Sequence, residues 1–96
     1  MSAFLFLDTK IHDASAYEEY KSLAKPIAEK FGGNYRVRGG DLDILQAELW
    51  QPTRIVIIEF PSAEQARAFV DSDEYSVVKP LRMSNSDCTS FIVEAQ

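Results

Sequence analysis

The chain has 96 residues, 46% of them hydrophobic and 26% charged, with a formal net charge of -5. This composition excludes general disorder, and the length fits one domain covering residues 1–96. The negative charge argues against a nucleic-acid partner, because proteins that bind phosphate backbones concentrate Lys and Arg on one surface.

The first apolar run of the chain stops at Asp8 and is not preceded by basic residues. It is therefore too short for a membrane span and lacks the n-region of a signal peptide. Cys88 is the only cysteine, so no internal disulfide can form, which suits a reducing compartment. We expect a cytoplasmic protein without a membrane partner.

The first predicted strand extends from Ala3 to Ile11. Successive residues are apolar as far as Asp8, so both faces of this strand are apolar there. The stretch from Arg54 to Phe60 has the same pattern, with Glu59 as its only polar residue after the arginine. Both strands therefore need a covering layer on each face of their sheet.

A helix is predicted after the first strand. Asp13 and Ser15 are both candidate N-caps, and Ser15 with Glu18 has the spacing of a capping box. Pro26 is expected to kink this helix, and Gly32-Gly33 is expected to end it. Its apolar stripe at three- and four-residue steps consists of Tyr17, Tyr20, Ala24, Ile27 and Phe31.

The second predicted strand extends from Asn34 to Arg38. Alternation places Tyr35 and Val37 on one face and Arg36 and Arg38 on the other. Gly39-Gly40-Asp41 breaks this strand, and Ile44 to Trp50 is predicted to resume it after a bend or bulge. A turn at Gln51-Pro52-Thr53 would then form a hairpin with the strand that ends at Phe60.

Two more helices and a last strand complete the prediction. Ser62 and Gln65 form a second capping box, which begins a helix with an apolar stripe. Ser72 caps a further short helix. The last strand extends from Thr89 to Glu94. The apolar residues of these two helices are Ala63, Ala66, Phe69 and Val70 in the first, and Tyr75, Val78 and Leu81 in the second.

The order strand, helix, strand, strand, helix, strand predicts an α+β ferredoxin-like fold, with both helices on one face of an antiparallel sheet. The other face would expose about six large apolar side chains, each worth about 1.5–3 kcal/mol when buried. The total of about 9–18 kcal/mol is comparable with the stability of a whole domain, about 5–15 kcal/mol. We therefore predict a homodimer in which two sheets pack through this face.

Six motifs in chain order carry a resemblance to a known family. They are Tyr17-x-x-Tyr20, Phe31-Gly32-Gly33-x-Tyr35-x-Val37-Arg38-Gly39-Gly40, Trp50-x-Pro52-x-Arg54, Ile58-Glu59-Phe60-Pro61-Ser62, Ser72-x-Glu74-Tyr75 and Pro80-Leu81-Arg82. Together they resemble domain-of-unknown-function family 1330 over nearly the whole chain. The resemblance implies the dimeric α+β barrel fold, in which two ferredoxin-like subunits place their sheets together.

The resemblance implies no reaction. Related barrel families include cofactor-independent monooxygenases, isomerases, haem enzymes and ligand-sensing domains, so the fold does not choose among them. The chain also departs from the family pattern, because it has Ala47-Glu48-Leu49-Trp50 where the family typically has Glu-Gly before the tryptophan segment. A one-residue shift in a strand reverses the face of a side chain, so the role of the family glutamate is not transferred to Glu48.

The predicted partner, besides a second copy of the chain, is a small anionic or aromatic molecule. The candidate ligand-binding residues are Arg38, Trp50, Arg54, Glu59, Tyr75 and Arg82. Each has a structural alternative. Arg36 and Arg38 would protect an edge strand, and Arg54 would pair with Glu59. The aromatic residues, namely Trp50, Tyr17, Tyr20 and Tyr75, would pack in the core or the interface.

Glu59 and His12 are the candidates for a catalytic general base. A carboxylate in an apolar strand needs either a partner or a raised pKa, so Glu59 is a buried base or the partner of an Arg or Tyr. His12 is the only histidine and has no defensible companions for a metal site or a catalytic triad. The glycine pairs lack the context of a phosphate loop, so neither a metal nor a cofactor is predicted.

Three functions remain open from the sequence. The first is a small-molecule-binding protein or cofactor-independent enzyme of monooxygenase or isomerase type. Its pocket would lie between the sheet, the helices and the partner subunit, with Arg38, Glu59 and Arg82 lining it. The second is a ligand-sensing module, and the third is a purely structural dimer.

Overall fold

The computed structural model describes all residues from Met1 to Gln96. Its elements are β1 (Ala3–Ile11), α1 (Ala14–Lys30), β2 (Asn34–Arg38), β3 (Ile55–Phe60), α2 (Ala63–Val70), α3 (Asp73–Asn85) and β4 (Ser86–Glu94). The strands form one antiparallel sheet in the order β2-β3-β1-β4. This arrangement confirms the ferredoxin-like α+β prediction, and no helix is long and apolar enough to cross a membrane.

The helices cover one face of the sheet, which we call the helix face. Its core is formed by alternate residues of β1 and β3 together with apolar residues of the three helices. Phe60 is 1% exposed and packs against Phe69 of α2, with ring centroids 5.6 Å apart. Fully burying a side chain of this size contributes about 1.5–3 kcal/mol, so this layer supplies the main apolar stabilisation of the chain.

Helix α1 begins after Asp13 and ends before Gly32 as predicted, but the predicted capping box of Ser15 and Glu18 does not form, because Ser15 lies inside the helix. The Asp13 carboxylate accepts hydrogen bonds from the Ala16 backbone N–H and the Ser15 hydroxyl, both at 3.1 Å. Asp13 is thus the N-cap, and these bonds lower the pKa of its carboxyl. The helix continues through Pro26, and the chain leaves it at Gly32 with a φ of 88°.

The prediction of an extended segment from Ile44 to Trp50 is wrong. Residues 39–54 form an irregular connection, although β2 and β3 do pair as neighbouring antiparallel strands. The reason is a tertiary contact with Asp8, which is buried on β1. Its carboxylate accepts hydrogen bonds from Trp50 Nε1 at 2.6 Å and from the backbone N–H groups of Thr53 and Arg54 at 2.9 and 3.1 Å. A side chain therefore provides the acceptors that a strand partner would have provided.

The prediction that Arg36 and Arg38 share a face is also wrong. The pairing of β2 with β3 shifts by one residue between Tyr35 and Val37, which places an irregularity at Arg36. Beyond this shift, Arg38 pairs with the buried Val56 and joins Tyr35 on the helix face. Strict alternation fails here because the extra residue reverses the direction of the side chains that follow.

The last third of the chain is more regular than predicted. Helix α3, expected to be short, has 13 residues and continues through Pro80, so it is longer than α2. Strand β4 begins at Ser86 instead of Thr89 and pairs with β1 over its whole length. Strand β4 is longer than predicted because its first residues also pair with β1, and each pair extends the ladder of backbone hydrogen bonds.

The opposite face of the sheet, which we call the open face, is not covered by helices. Phe6 and Phe91 stack on it with ring centroids 4.7 Å apart, and Phe91 remains 42% exposed. Its apolar side chains are Phe4, Phe6, Val37, Ile55, Ile57, Phe91 and Val93. The irregular connection covers only one end, where Trp50 and Pro52 line a groove with Phe6 and Ile55.

Candidate functional site

A narrow cleft lies on the helix face between α1 and the adjoining ends of β2 and β3. It encloses about 20 Å³, which is room for about one water molecule, and it opens to solvent. Three of the lining residues are tyrosines and three are cations. The lining consists of Leu7, Tyr17, Tyr20, Lys21, Ala24, Tyr35, Arg38, Arg54, Val56 and Ile58. One chain supplies all of them, whereas the sequence predicted a pocket completed by a partner subunit.

Arg38 reaches the cleft because of the irregularity at Arg36. Its guanidinium lies over the Tyr35 ring, 4.7 Å from the centroid, and its Nη2 donates a hydrogen bond to the Lys21 carbonyl at 3.0 Å. These contacts hold the guanidinium between β2 and α1. Burial raises the pKa of the Tyr35 hydroxyl to about 12, so it remains a neutral donor at physiological pH.

Arg54 is held in place by contacts of its backbone N–H, its carbonyl and its guanidinium. Its N–H donates to Asp8, its carbonyl accepts from the Thr9 N–H at 2.9 Å, and its guanidinium lies 5.6 Å from the centroid of the Tyr17 ring. Gly39 has a φ of 76°, and a Cβ there would lie 2.7 Å from Arg54 Nε. Only glycine meets both demands, a left-handed backbone and a close approach by a guanidinium.

Two of the three cations of the cleft lack acidic partners, whereas Lys21 pairs with Glu18 at 3.0 Å. The chain has five arginines and 15 acidic residues, and Arg36 and Arg67 are paired with Glu59 and Asp71 at 2.8 and 2.9 Å. The other three arginines form no ion pair within 4.0 Å, although acidic residues outnumber basic ones in the chain. They are Arg38, Arg54 and Arg82. No carboxylate lines the cleft, so the side chains that line it carry a net positive charge.

Tyr20 connects the cleft to Arg82. The hydroxyls of Tyr20 and Tyr75 are 2.8 Å apart, and Arg82 Nε donates to the Tyr75 oxygen at 3.2 Å. Arg82 is only 8% exposed. Burial opposes its charge, but the combined effect of Tyr75, Cys88 and Tyr20 outweighs burial and raises the pKa of the guanidinium, so it stays protonated. Burial also raises the pKa of Tyr20 above its ordinary value, so its hydroxyl stays neutral.

The candidate ligand-binding residues therefore separate into two groups. Arg38 and Arg54 meet in the cleft, and Tyr75 and Arg82 lie behind it. Trp50 and Glu59 do not join them, because Trp50 binds Asp8 under the irregular connection and Glu59 pairs with Phe4 on the open face. The sequence did not single out Tyr35 or Asp8, although a carboxylate inside an apolar strand was a signal that pointed to Asp8.

The two candidates for a general base are both paired. The Glu59 carboxylate accepts from Arg36 Nε at 2.8 Å, and this hydrogen bond lowers the pKa of Glu59. Glu59 is thus the partner of an arginine, one of the two alternatives left open by the sequence, but the expected pairing with Arg54 is wrong because Arg36 occupies the carboxylate. His12 is exposed and its Nε2 lies 3.0 Å from Asp87. No three His, Cys, Asp or Glu side chains lie close enough together to hold a metal ion.

The fold and the cleft define a ferredoxin-like protein with a cationic, tyrosine-lined site on the helix face. The chain belongs to the family described as a domain of unknown function, DUF1330, whose model matches residues 2–96. No curated protein sequence matches the chain significantly.

Several solved structures share the fold. One is a protein of unknown function from Rhodopseudomonas palustris, with a TM-score of 0.79, 16% identity, and coverage of 99% of this chain and 82% of that one. Another is a dimeric ferredoxin-like protein of unknown function from Jannaschia sp. CCS1, with a TM-score of 0.74, 11% identity, and coverage of 99% and 100%. SnoaB, a cofactor-independent oxygenase from Streptomyces nogalater, has a TM-score of 0.65 at 8% identity, with coverage of 99% and 92%.

Proposed function

We propose that this protein binds a small carboxylic acid through Arg38 and Arg54 at the mouth of the cleft. The observation that carries the proposal is the absence of acidic partners for these arginines in a chain of net charge -5. A guanidinium presents a planar set of donors that matches a carboxylate, and a hydrogen bond between charged groups is stronger than one between neutral groups.

The surroundings of the two arginines support this function. Each guanidinium lies over a tyrosine ring, Arg38 over Tyr35 and Arg54 over Tyr17, so neither has to be ordered when an anion arrives. Arg54 is half-buried and Arg38 is exposed, so a carboxylate placed between them would be partly shielded from water. Shielding strengthens the interaction between opposite charges.

The test is calorimetric titration with small monocarboxylates, using 4-oxopentanoate and benzoate as probes. Arg54→Gln removes the charge, and we expect about 10- to 100-fold weaker binding, as for the loss of about 1.5–3 kcal/mol from a charged hydrogen bond. Arg67→Gln is the matched control, because Arg67 lies on α2 and pairs with Asp71. Equal affinity in wild type, Arg54→Gln and Arg38→Gln would contradict the proposal.

Binding is favoured over catalysis by the chemistry of the lining. No His, Cys, Asp or Glu side chain lines the cleft, and the tyrosines with shifted pKa values are shifted upward, away from a basic form. The likeness to SnoaB supports the fold alone at 8% identity. A cofactor-independent oxygenase or isomerase is the alternative function. Oxygen consumption with the same two acids would support the oxygenase, and conversion of an acid to an isomer without oxygen would support the isomerase.

We also propose that two copies associate through the open face. Phe91, Val93 and Val37 are 42%, 48% and 36% exposed there, and a patch of this kind is typical of an interface. Leu45 in the irregular connection is 90% exposed and lines a groove with Phe6 and Ile55, so it continues the apolar surface. The Jannaschia protein with the same fold is described as dimeric. With Cys88 as the only cysteine, we place this dimer in the cytoplasm.

Sedimentation at micromolar concentration tests the dimer. Phe91→Asp places a charge in the open face and is expected to give a monomer, because an unpaired charge is costly to bury. Val77→Asp is the control, since Val77 is 79% exposed on α3, which packs on the helix face. A wild-type protein that sediments as a monomer, or a Phe91→Asp protein that remains dimeric, would refute this interface.

A further inference from the structure

The hydrogens shared by Arg82, Tyr75 and Tyr20 can be counted. A tyrosine hydroxyl has one hydrogen and accepts up to two, whereas Arg82 Nε–H only donates. Three hydrogens, one from each residue, therefore face two phenolic oxygens. Arg82 uses one in its bond to Tyr75, and one lies between the two tyrosines. The remaining hydroxyl hydrogen has no acceptor in the protein.

The fold indicates which tyrosine carries this free hydrogen. Tyr75 is 4% exposed and does not line the cleft, whereas Tyr20 does. A buried hydroxyl that donates to nothing loses its hydrogen bond with water without replacement. The order of donation that avoids this loss runs from Arg82 to Tyr75, from Tyr75 to Tyr20, and from Tyr20 into the cleft.

We infer that Tyr20 is a specificity-determining residue that donates to an uncharged oxygen of the bound acid. This inference rests on the proposed carboxylate site, because Arg38 and Arg54 would hold the charged end of the same molecule. The ligand class is thus a small oxo-carboxylic acid, with a carboxylate at the mouth and a carbonyl oxygen directed inward.

The size and lining of the inner cleft support a single oxygen atom. The enclosed space of about 20 Å³ admits about one water-sized group, so it suits a carbonyl oxygen whose remaining atoms stay nearer the mouth. Leu7, Val56 and Ile58 line the same space, so only the tyrosine side offers a polar contact. A neutral carbonyl suits this environment, because it needs one hydrogen bond and carries no charge to desolvate.

Arg82 is a positioning residue in this arrangement. Its Nε–H occupies one lone pair of Tyr75, and its buried charge favours a Tyr75 hydroxyl that donates onward to Tyr20. The absence of an acidic partner for Arg82 leaves this charge available to polarise the two hydroxyls. A carboxylate in place of Tyr75 would accept from Arg82 but would have no hydrogen to donate to Tyr20.

The experiment compares acids that differ by one oxygen. Calorimetric titration is carried out with 4-oxopentanoate against 4-methylpentanoate, and with 4-acetylbenzoate against 4-isopropylbenzoate as a longer pair. Wild type is expected to prefer the oxo acid of at least one pair by roughly 2- to 12-fold, the ratio expected from one net hydrogen bond. Tyr20→Phe is expected to reduce that ratio to about 1 while still binding the acids through the arginines.

Two further variants separate donation by Tyr20 from a structural effect. Tyr75→Phe leaves the Tyr20 ring in place but removes its hydrogen-bonding neighbour, and we expect an intermediate preference. Tyr17→Phe tests the competing donor, because Tyr17 also lines the cleft and its hydroxyl would be the other source of a hydrogen bond to the ligand. Far-ultraviolet circular dichroism establishes that each variant is folded.

The outcomes distinguish the inference from the proposed function. If neither pair of acids binds wild type, the carboxylate site is refuted, and the inference with it. If the acids bind but wild type shows no preference for the oxo acid, or Tyr17→Phe rather than Tyr20→Phe removes the preference, only the role of Tyr20 is refuted. Tighter binding of succinate than of 4-oxopentanoate would refute the uncharged oxygen.

Discussion

The two faces of the sheet are built from the same strands but have different environments. On the helix face, Leu5 and Ile58 are 5% and 3% exposed, whereas Phe91 and Val93 on the open face are 42% and 48% exposed. Both sets are apolar, so composition alone does not distinguish them. The difference arises because all three helices return to the same side of the sheet, which leaves the other side without a layer from this chain.

The charged residues of the two faces differ in whether they have partners. On the open face the acidic groups are satisfied, Glu59 by Arg36 and Asp8 by three N–H donors. On the helix face Arg38 and Arg54 have no acidic partner. We therefore assign dimer formation to the open face, which has uncovered apolar area, and ligand binding to the helix face, which has arginines without acidic partners. Four predictions test this assignment, from the largest expected effect to the smallest.

The first prediction compares a buried with an exposed phenylalanine. Phe60→Ala should lower the free energy of unfolding by about 3–5 kcal/mol, because it leaves a cavity in the closed core. Phe91→Ala should cost much less at low protein concentration and progressively more as the concentration rises, because association stabilises the folded chain. Urea denaturation at several protein concentrations measures both. Equal and concentration-independent losses would remove the distinction between the faces.

The second prediction concerns the anchor of the irregular connection. Asp8→Asn should lower the free energy of unfolding by about 1.5–3 kcal/mol. The neutral amide oxygen accepts more weakly from the Thr53 and Arg54 N–H groups, and the amide NH2 would face the Trp50 N–H, so that two donors meet. The fluorescence of Trp50, the only tryptophan, reports release of the connection directly. Asp87→Asn is the control, since the Asp87 carboxylate is exposed and forms an ion pair with His12 rather than a bond to the irregular connection. Unchanged fluorescence in Asp8→Asn would contradict this role.

The third prediction uses two adjacent glycines. Gly39→Ala should cost about 1–2 kcal/mol, because an alanine resists the left-handed backbone, and its Cβ would displace the Arg54 guanidinium. Gly40→Ala should have little effect, because no atom lies within 4 Å of the added carbon. Denaturation and titration with 4-oxopentanoate measure stability and binding together. If both variants bind the acid equally well, the position of Arg54 does not matter to the site.

The smallest effect is expected from Glu59 on the open face. Its hydrogen bond with Arg36 lowers its pKa below the ordinary value of 4.5, so the ionised form favours the folded state. This contribution is present above pH 4.5 and is lost as the pH falls through the lower pKa of the folded state. Glu59→Gln should therefore weaken the acid dependence of the melting temperature.

The matched control for Glu59 is Glu19→Gln, because the Glu19 side chain is exposed and forms no hydrogen bond or ion pair. We expect the control to retain the acid dependence of wild type. An identical pH profile for wild type and Glu59→Gln would show that the contact with Arg36 does not contribute to stability. High salt should reduce the difference, since ions screen exposed pairs.

Local sequence patterns predicted most of the elements. The caps at Asp13 and Ser62 and the end of α1 at Gly32 depend on residues that are adjacent in the chain, and the structure confirms them. The apolar character of β1 and β3 on both faces likewise predicted a sheet with more apolar area than the helices cover. These features are local, so the sequence alone contains the information.

The site was only partly predictable. Residue types pointed to Arg38, Arg54, Tyr75 and Arg82, but also to Trp50 and Glu59, which the fold places elsewhere. Arg38 joins the cleft because of an irregularity in the pairing of two strands, and Arg54 because of a hydrogen bond from its backbone to Asp8. Both causes join residues far apart in the chain, so no pattern of neighbouring residues reveals them.

The sequence by itself determined the ferredoxin-like order of elements, the helix ends and the surplus of apolar strand surface, because propensity, capping and alternation act over a few residues. Only the tertiary structure decided which arginines are paired and which face the cleft, because strand register and long-range hydrogen bonds direct each side chain to one face or the other.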